Sequence, residues 1–176
     1  MKETREFRIP FIGLKTGVHH FNFEVTDTFF AHYPDSLIKQ GKIFADIHFD
    51  KKERLFILNF DISGSITTDC DVCGQKFQLP IHGNHTQFVK IGTVPEEAEK
   101  SDEDVIWLPE SESILDLSDM LYEFIHLSLP IRHLHPNKPD GTPECDPEII
   151  KLLDSTRQEQ VNPDPRWAAL KNFHKD

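Results

Sequence analysis

Two adjoining segments with different hydrophobic rhythm restrict the fold most. Ile43, Ala45, Ile47 and Phe49 form one apolar series, with Asp46, His48 and Asp50 between them. Side chains two apart share one face of a strand, so this pattern describes a strand buried on one side and wet on the other. After the polar turn Asp50-Lys51-Lys52-Glu53, residues 55–62 are apolar on both sides. The pair predicts an antiparallel hairpin whose second strand lies deeper in a sheet.

The same period of two recurs upstream, at Phe7, Ile9 and Phe11, and at Phe21, Phe23 and Val25. Downstream, a further strand pair is expected at residues 77–81 and 86–91, turning at Gly83-Asn84 between His82 and His85. Residues 93–104 are acidic and contain Pro95, which predicts an exposed loop, and residues 105–108 predict a short returning strand. The rhythm then changes. Leu117, Met120, Leu121, Phe124 and Ile125 follow helical spacing, with Asp116 as a cap and Pro130 as a stop. Asp146-Pro147 predicts the start of a helix over residues 148–154, and Asp164-Pro165 repeats that signal before residues 166–173. The expected architecture is α+β: an N-terminal, mostly antiparallel sheet or partial barrel with C-terminal helices packed on it. Residues 1–154 are expected to form one domain, strand-rich over 1–108 and helical over 114–154, and residues 155–176 a linker and terminal helix.

Apolar residues make up 38% of the chain and include 14 Phe, too much for a disordered protein. The N-terminal MKETREFRIP is charged where a secretory signal needs an apolar run, and three cysteines cannot pair completely. The expectation is a soluble, cytoplasmic protein. Its net charge of −11 is concentrated: Glu96 to Glu123 hold 11 acidic residues against one base, Lys100. The rest is close to neutral, and the densest basic group, Lys51, Lys52 and Arg54, is interleaved with Asp50 and Glu53. Nothing resembles the concentrated basic surface that phosphate backbones require. The acidic block reads either as a solvated loop or as a docking surface for a basic partner through Glu96, Glu97, Glu99, Asp102, Glu103 and Asp104.

The most specific chemistry lies in Cys70-Asp71-Val72-Cys73-Gly74. Two thiolates separated by two residues can turn around one ion, with Gly74 easing the turn. Cys145 offers a third ligand and His135, or alternatively His133, a fourth, so a structural Zn2+ site is one reading. Small buried thiols are another. A thioredoxin-like redox pair is a third, although that chemistry wants the cysteines opening a helix in a βαβ unit. The remaining histidines, His19, His20, His82, His85 and His126, are expected in ordinary surface roles.

Taken in order, these residues resemble the YceD-type large ribosomal RNA subunit accumulation family. The likeness rests on the Cys-x-x-Cys-Gly-x-x-Phe element from Cys70 to Phe77 and the acidic stretch after it. It continues through the helix running from Asp116-Leu117 to Leu129-Pro130, His135, Cys145, and the stretch from Asn162 to Lys171. Phe124 and His126 depart from the family pattern, and a second Cys near Cys145 is absent, which places any metal claim on His135. The resemblance implies a bacterial-type accessory factor in ribosome biogenesis, active in large-subunit (23S) rRNA accumulation or assembly, with a basic ribosomal protein or an assembly intermediate as partner. The residues themselves point to no catalytic set, small-molecule substrate or membrane span. A direct RNA-binding module stacking bases on Phe7, Phe21, Phe44 or Phe56 is the alternative, followed by a metal- or thiol-dependent enzyme.

Overall fold

The computed structural model describes residues 6–93, 105–142 and 144–159. The expected acidic loop beyond residue 93 and the expected helix at residues 166–173 lie outside the described residues. The chain forms two compact units, Met1–Thr68 with Gln78–Ile131, and Asp69–Phe77 with Arg132–Asp176.

The first unit carries an open sheet. Its strands are β2 (Gly17–Val25), β3 (Gly41–Lys51), β4 (Leu55–Asp69), β5 (Lys76–Ile91) and β6 (Val105–Leu108), in that spatial order. β2, β3 and β4 pair antiparallel, with Ile47 opposite both Phe21 and Phe60, and β6 runs parallel to β5. A separate antiparallel ribbon joins β1 (Arg8–Ile9) to β7 (Leu115–Asp116). The α+β expectation therefore holds, with a mostly antiparallel sheet that does not close into a barrel.

The alternation read at β3 is the alternation observed. Ile43, Ala45, Ile47 and Phe49 are buried, and on β4 the facing set is Phe56, Leu58, Phe60 and Ile62. On the outward face of β4, Leu55 and Ile57 are half-covered, whereas Asn59 and Asp61 are exposed. Aromatic rings cover this inner face: Phe11 packs on Phe56 at 4.9 Å, and Phe124 on Phe60 at 4.9 Å. Each fully buried Phe, Leu or Ile contributes about 1.5–3 kcal/mol, so this layer is the principal source of stability in the unit.

The helix α2 (Ser118–Leu127) supplies Phe124. Met120, Leu121, Phe124 and Ile125 are all buried, as their spacing requires, together with Leu117 just before them. Asp116 acts one position earlier than expected: Leu117 is the N-cap residue, and Asp116 lies in β7. From there its carboxylate accepts the Ser118 N–H at 3.0 Å and the Ser118 hydroxyl at 2.6 Å, and pairs with Arg8 at 2.8 Å. A short helix that the sequence pattern did not announce, α1 (Asp27–Phe30), buries Phe29 and Phe30.

Three expectations need correction. β5 is one continuous strand of 16 residues, not a pair turning at Gly83-Asn84. Gly83 is there for close approach: a Cβ would lie 2.1 Å from Ser128 Oγ, just past the C-terminus of α2. Only Arg8 and Ile9 of the first apolar series are in a ladder, although Phe7, Ile9 and Phe11 are all buried; Pro10 has no N–H to extend the pairing. Finally, the helix after Asp146 continues through Ser155 to Glu159, where a linker was expected to begin.

Glycine also permits the β3–β4 crossing, where a Cβ on Gly64 would sit 2.3 Å from the Lys42 carbonyl oxygen. That neighbour is backbone, whereas Ser128 Oγ can rotate away. Gly64→Ala and Gly83→Ala are each expected to destabilise by about 1–3 kcal/mol in urea unfolding, with Gly64→Ala the more damaging. The Asp116 carboxyl, despite partial burial that raises it, is held below its ordinary value by Ser118 and Arg8. Its contribution is thus present at neutral pH and lost as pH falls through the depressed value. Asp116→Ala is expected to lower stability by about 1 kcal/mol at pH 7, with the difference from the parent vanishing in strong acid.

Candidate metal centre

The second unit is organised around a turn. Cys70 N–H donates to the Gln75 carbonyl at 2.9 Å, and Gly74 N–H to the Cys70 carbonyl at 2.8 Å. Gly74 takes a φ of +72°, in the left-handed region where a side chain is penalised. Lys76 and Asp69 pair across the base of the turn at 3.0 Å. Both thiols of the pair consequently project to one side of a short, hydrogen-bonded loop.

Asp71 brings the second strip of chain to this loop. Its N–H donates to the His133 carbonyl at 2.8 Å, and its carboxylate accepts the His133 N–H at 2.7 Å. Two residues on, the His135 ring packs against Phe77 with centroids 4.5 Å apart. The excursion that follows folds back on itself: Lys138 N–H donates to the Thr142 carbonyl at 2.8 Å, and Glu144 N–H to the Pro136 carbonyl at 3.3 Å. Cys145 is thereby returned to His135. Immediately after it, Asp146 caps α3 (Pro147–Glu159), accepting the Glu148 N–H at 2.8 Å, and receives the Gln75 side-chain amide at 3.1 Å.

The outcome is a cluster of four donors. Cys70, Cys73, His135 and Cys145 place their ligand atoms within 4.8 Å of one another. Cys70 Sγ lies 3.8 Å from Cys145 Sγ, Cys73 Sγ 3.5 Å from His135 Nδ1, and Cys145 Sγ 3.6 Å from the same nitrogen. A tetrahedral zinc with usual bond lengths requires edges of about 3.8 Å between sulfurs and about 3.5 Å between sulfur and nitrogen. The residues fit the ion. They would hold it in a closed shell, so that it would supply cross-linking rather than an open position for water. His133, the alternative ligand, is not in the cluster.

The electrostatics of the metal-free thiols are uneven. Burial pushes the Cys70 thiol up, but the N–H groups of Cys73, Val72 and His135, with the His135 side chain, outweigh it and hold Cys70 below the usual thiol value. Burial and the neighbouring Cys70 and Cys73 push Cys145 up. Three crowded thiols cannot all ionise without a cation, which is the service a divalent metal performs.

Burial bears on the choice between a metal centre and a small apolar core. In the second unit, Cys70 at 3% exposure and Cys145 at 8% are the only buried side chains among the described residues. Ile149 and Ile150 of α3 are half-exposed, and Leu152 and Leu153 exposed. Two thiols do not make a hydrophobic core. Nor does the redox reading gain support, since Cys70 and Cys73 flank a turn and open no helix.

Other expected site residues fall elsewhere. Glu96, Glu97, Glu99, Asp102, Glu103 and Asp104 lie outside the described residues. His85 is half-buried rather than fully exposed: it stacks on Phe124 at 4.7 Å, lies 2.9 Å from Ser128 Oγ, and is pushed below its usual pKa by burial. His126 bonds the Tyr122 carbonyl through Nδ1 at 2.7 Å, and its Nε2 is buried. His20 and His48 meet edge-on across β2 and β3 at 4.3 Å. Among the aromatics expected to stack bases, Phe7 and Phe56 are core residues, Phe21 is half-buried and Phe44 is exposed. Asp71 and Gln75 went unnoticed as positioning residues; the signal available was a carboxylate inside the Cys-x-x-Cys loop, free to accept a backbone N–H.

The fold is thus α+β with an open sheet, and it carries a Cys70, Cys73, His135 and Cys145 cluster that could hold a metal ion. Residues 58–174, more than half of the chain, match the family described as "Large ribosomal RNA subunit accumulation protein YceD", and the chain belongs to that YceD family. No curated protein and no solved structure matches it. Among the described residues no helix is long and apolar enough to cross a membrane.

Protein purified without a histidine tag is expected to carry about one equivalent of zinc by elemental analysis. His135→Ala and Cys145→Ser should lose most of it, while His133→Ala retains it. Chelation should abolish hydrogen-exchange protection at the Cys70, Gly74 and Ile150 amides and leave β3 and β4 protected.

Proposed function

We propose that this chain is a non-catalytic accessory factor in accumulation of the large ribosomal subunit's RNA, acting in the cytoplasm by binding a basic ribosomal protein or an assembly intermediate. The observation that carries the reading is membership of the YceD family, whose description names large ribosomal RNA subunit accumulation. Binding through the acidic region, residues 96–104, is motivated by charge. Ribosomal proteins are strongly basic, and a concentrated anionic segment attracts them and competes with their nonspecific contacts to RNA.

Two further observations support a binding rather than a catalytic role. The four clustered donors would complete a tetrahedral shell around a bound zinc, whereas catalytic zinc keeps a position open. On the sheet, Asp46 and Asp61 stand exposed where an RNA-binding face would need cations, and Phe7 and Phe56 are withdrawn into the core. In this reading zinc is structural: it ties Cys70 and Cys73 to His135 and Cys145 and gives the second unit a defined shape.

Neutralising Glu96, Glu97, Glu99, Asp102, Glu103 and Asp104 to their amides tests the docking role. Recovery of co-purified ribosomal proteins is expected to fall about tenfold or more, equivalent to about 1.4 kcal/mol. Unchanged recovery removes this block from the interface.

A further inference from the structure

The outer face of the first unit's sheet is exposed, and two carboxylates face each other at its centre. The register of β3 and β4 sets Asp46 directly opposite Asp61. Like charges in that relation repel across the ladder and destabilise the pairing. Asp46 receives the Asn22 side-chain amide from β2, and His82 Nδ1 lies 3.7 Å from Asp61. Among the described residues no Lys or Arg pairs with either carboxylate. The bases of this face stand at its flanks: Lys42 pairs with Glu24 at 3.1 Å, and Lys90 lies over the Trp107 ring at 5.3 Å.

The surface is also grooved. One shallow groove passes His20 and Asp46, another passes Asn59 and Asn84, and the two share His48 and Asp61. Together they make one trough from β2 to β5 with the two facing carboxylates at its middle. Apolar side chains border it, Val18 at 59% exposure and Phe44 at 46%.

We infer that this face is the docking surface for an extended Lys/Arg-rich segment of a partner protein, with one cationic side chain seated between Asp46 and Asp61. Charge complementarity identifies the occupant. A guanidinium or ammonium group between the carboxylates converts a repulsive pair into a bridged one, and the exposed apolar border accommodates the aliphatic stems of Lys and Arg. A phosphate backbone meets repulsion at the same place. A metal ion lacks a converging donor set here, since among the described residues only the Cys70, Cys73, His135 and Cys145 group converges. The inference rests on the proposed basic protein partner and adds the sheet to residues 96–104 as a second contact surface.

The test uses the full chain and a labelled peptide of Arg/Lys–Ser repeats, read by fluorescence anisotropy at low salt. The Asp46→Asn/Asp61→Asn variant is expected to bind about tenfold more weakly, and its melting temperature to equal or exceed the parent's because the repulsion is gone. Asp61→Asn alone, which leaves the Asn22–Asp46 contact intact, is expected to give an intermediate loss. Unchanged peptide affinity in the folded double variant overturns the inference. So does a labelled single-stranded RNA that binds more tightly than the peptide and is released by the same substitutions. Loss of peptide binding only when residues 96–104 are neutralised also overturns it, while leaving the proposed function standing. Loss with the sheet variant supports it, whether or not the 96–104 variant also binds more weakly.

Discussion

The constraint that organises the second unit is the convergence of three thiols and one imidazole, where almost nothing else among the described residues is buried. Ordering the backbone costs about 1–2 kcal/mol per residue, and among the described residues of this unit only two thiols are buried, so their apolar burial offsets little of that cost. Structural zinc sites in small domains supply apparent binding energies of about 10–16 kcal/mol, which is the right scale for such a deficit. The hydrogen bonds around the centre, Asp71 with His133 and Gln75 with Asp146, then act as aligners rather than as the main source of stability. Each is exposed or nearly so, and each contributes on the order of 1 kcal/mol.

The first unit solves the same problem by other means. Its sheet buries one face under rings from Phe11 and from Phe124 of α2, and leaves the other face to solvent. That division frees the outer face from packing duties, so its residues can be chosen for contact with something else. The facing Asp46 and Asp61 are intelligible in those terms: they cost the ladder a little and give the surface a specific sign.

Much of the first unit was legible because its signals are local. The period of two at Ile43 through Phe49 needs only the pleat, and the spacing of Met120, Leu121, Phe124 and Ile125 needs only a helix lying on a core. Gly83-Asn84 misled because a turn and a close approach place the same residue at the same point, and only the position of Ser128 separates them. At the centre, Cys70, Cys73 and Cys145 were legible from their chemistry alone. The preference for His135 over His133 came from the family resemblance, and its physical reason appears only in the fold, where His133 pairs its backbone with Asp71. The Asp46–Asp61 pair lies 15 residues apart in sequence and becomes visible only once the register is known.

Zinc K-edge X-ray absorption on the untagged protein tests the central physical claim most directly. A Cys3His centre predicts a first shell of three sulfurs at about 2.3 Å and one nitrogen at about 2.0 Å, with no bound water. A shell of nitrogen and oxygen alone, or protein with no zinc to absorb, would contradict the cross-link and with it the explanation of how the second unit holds together.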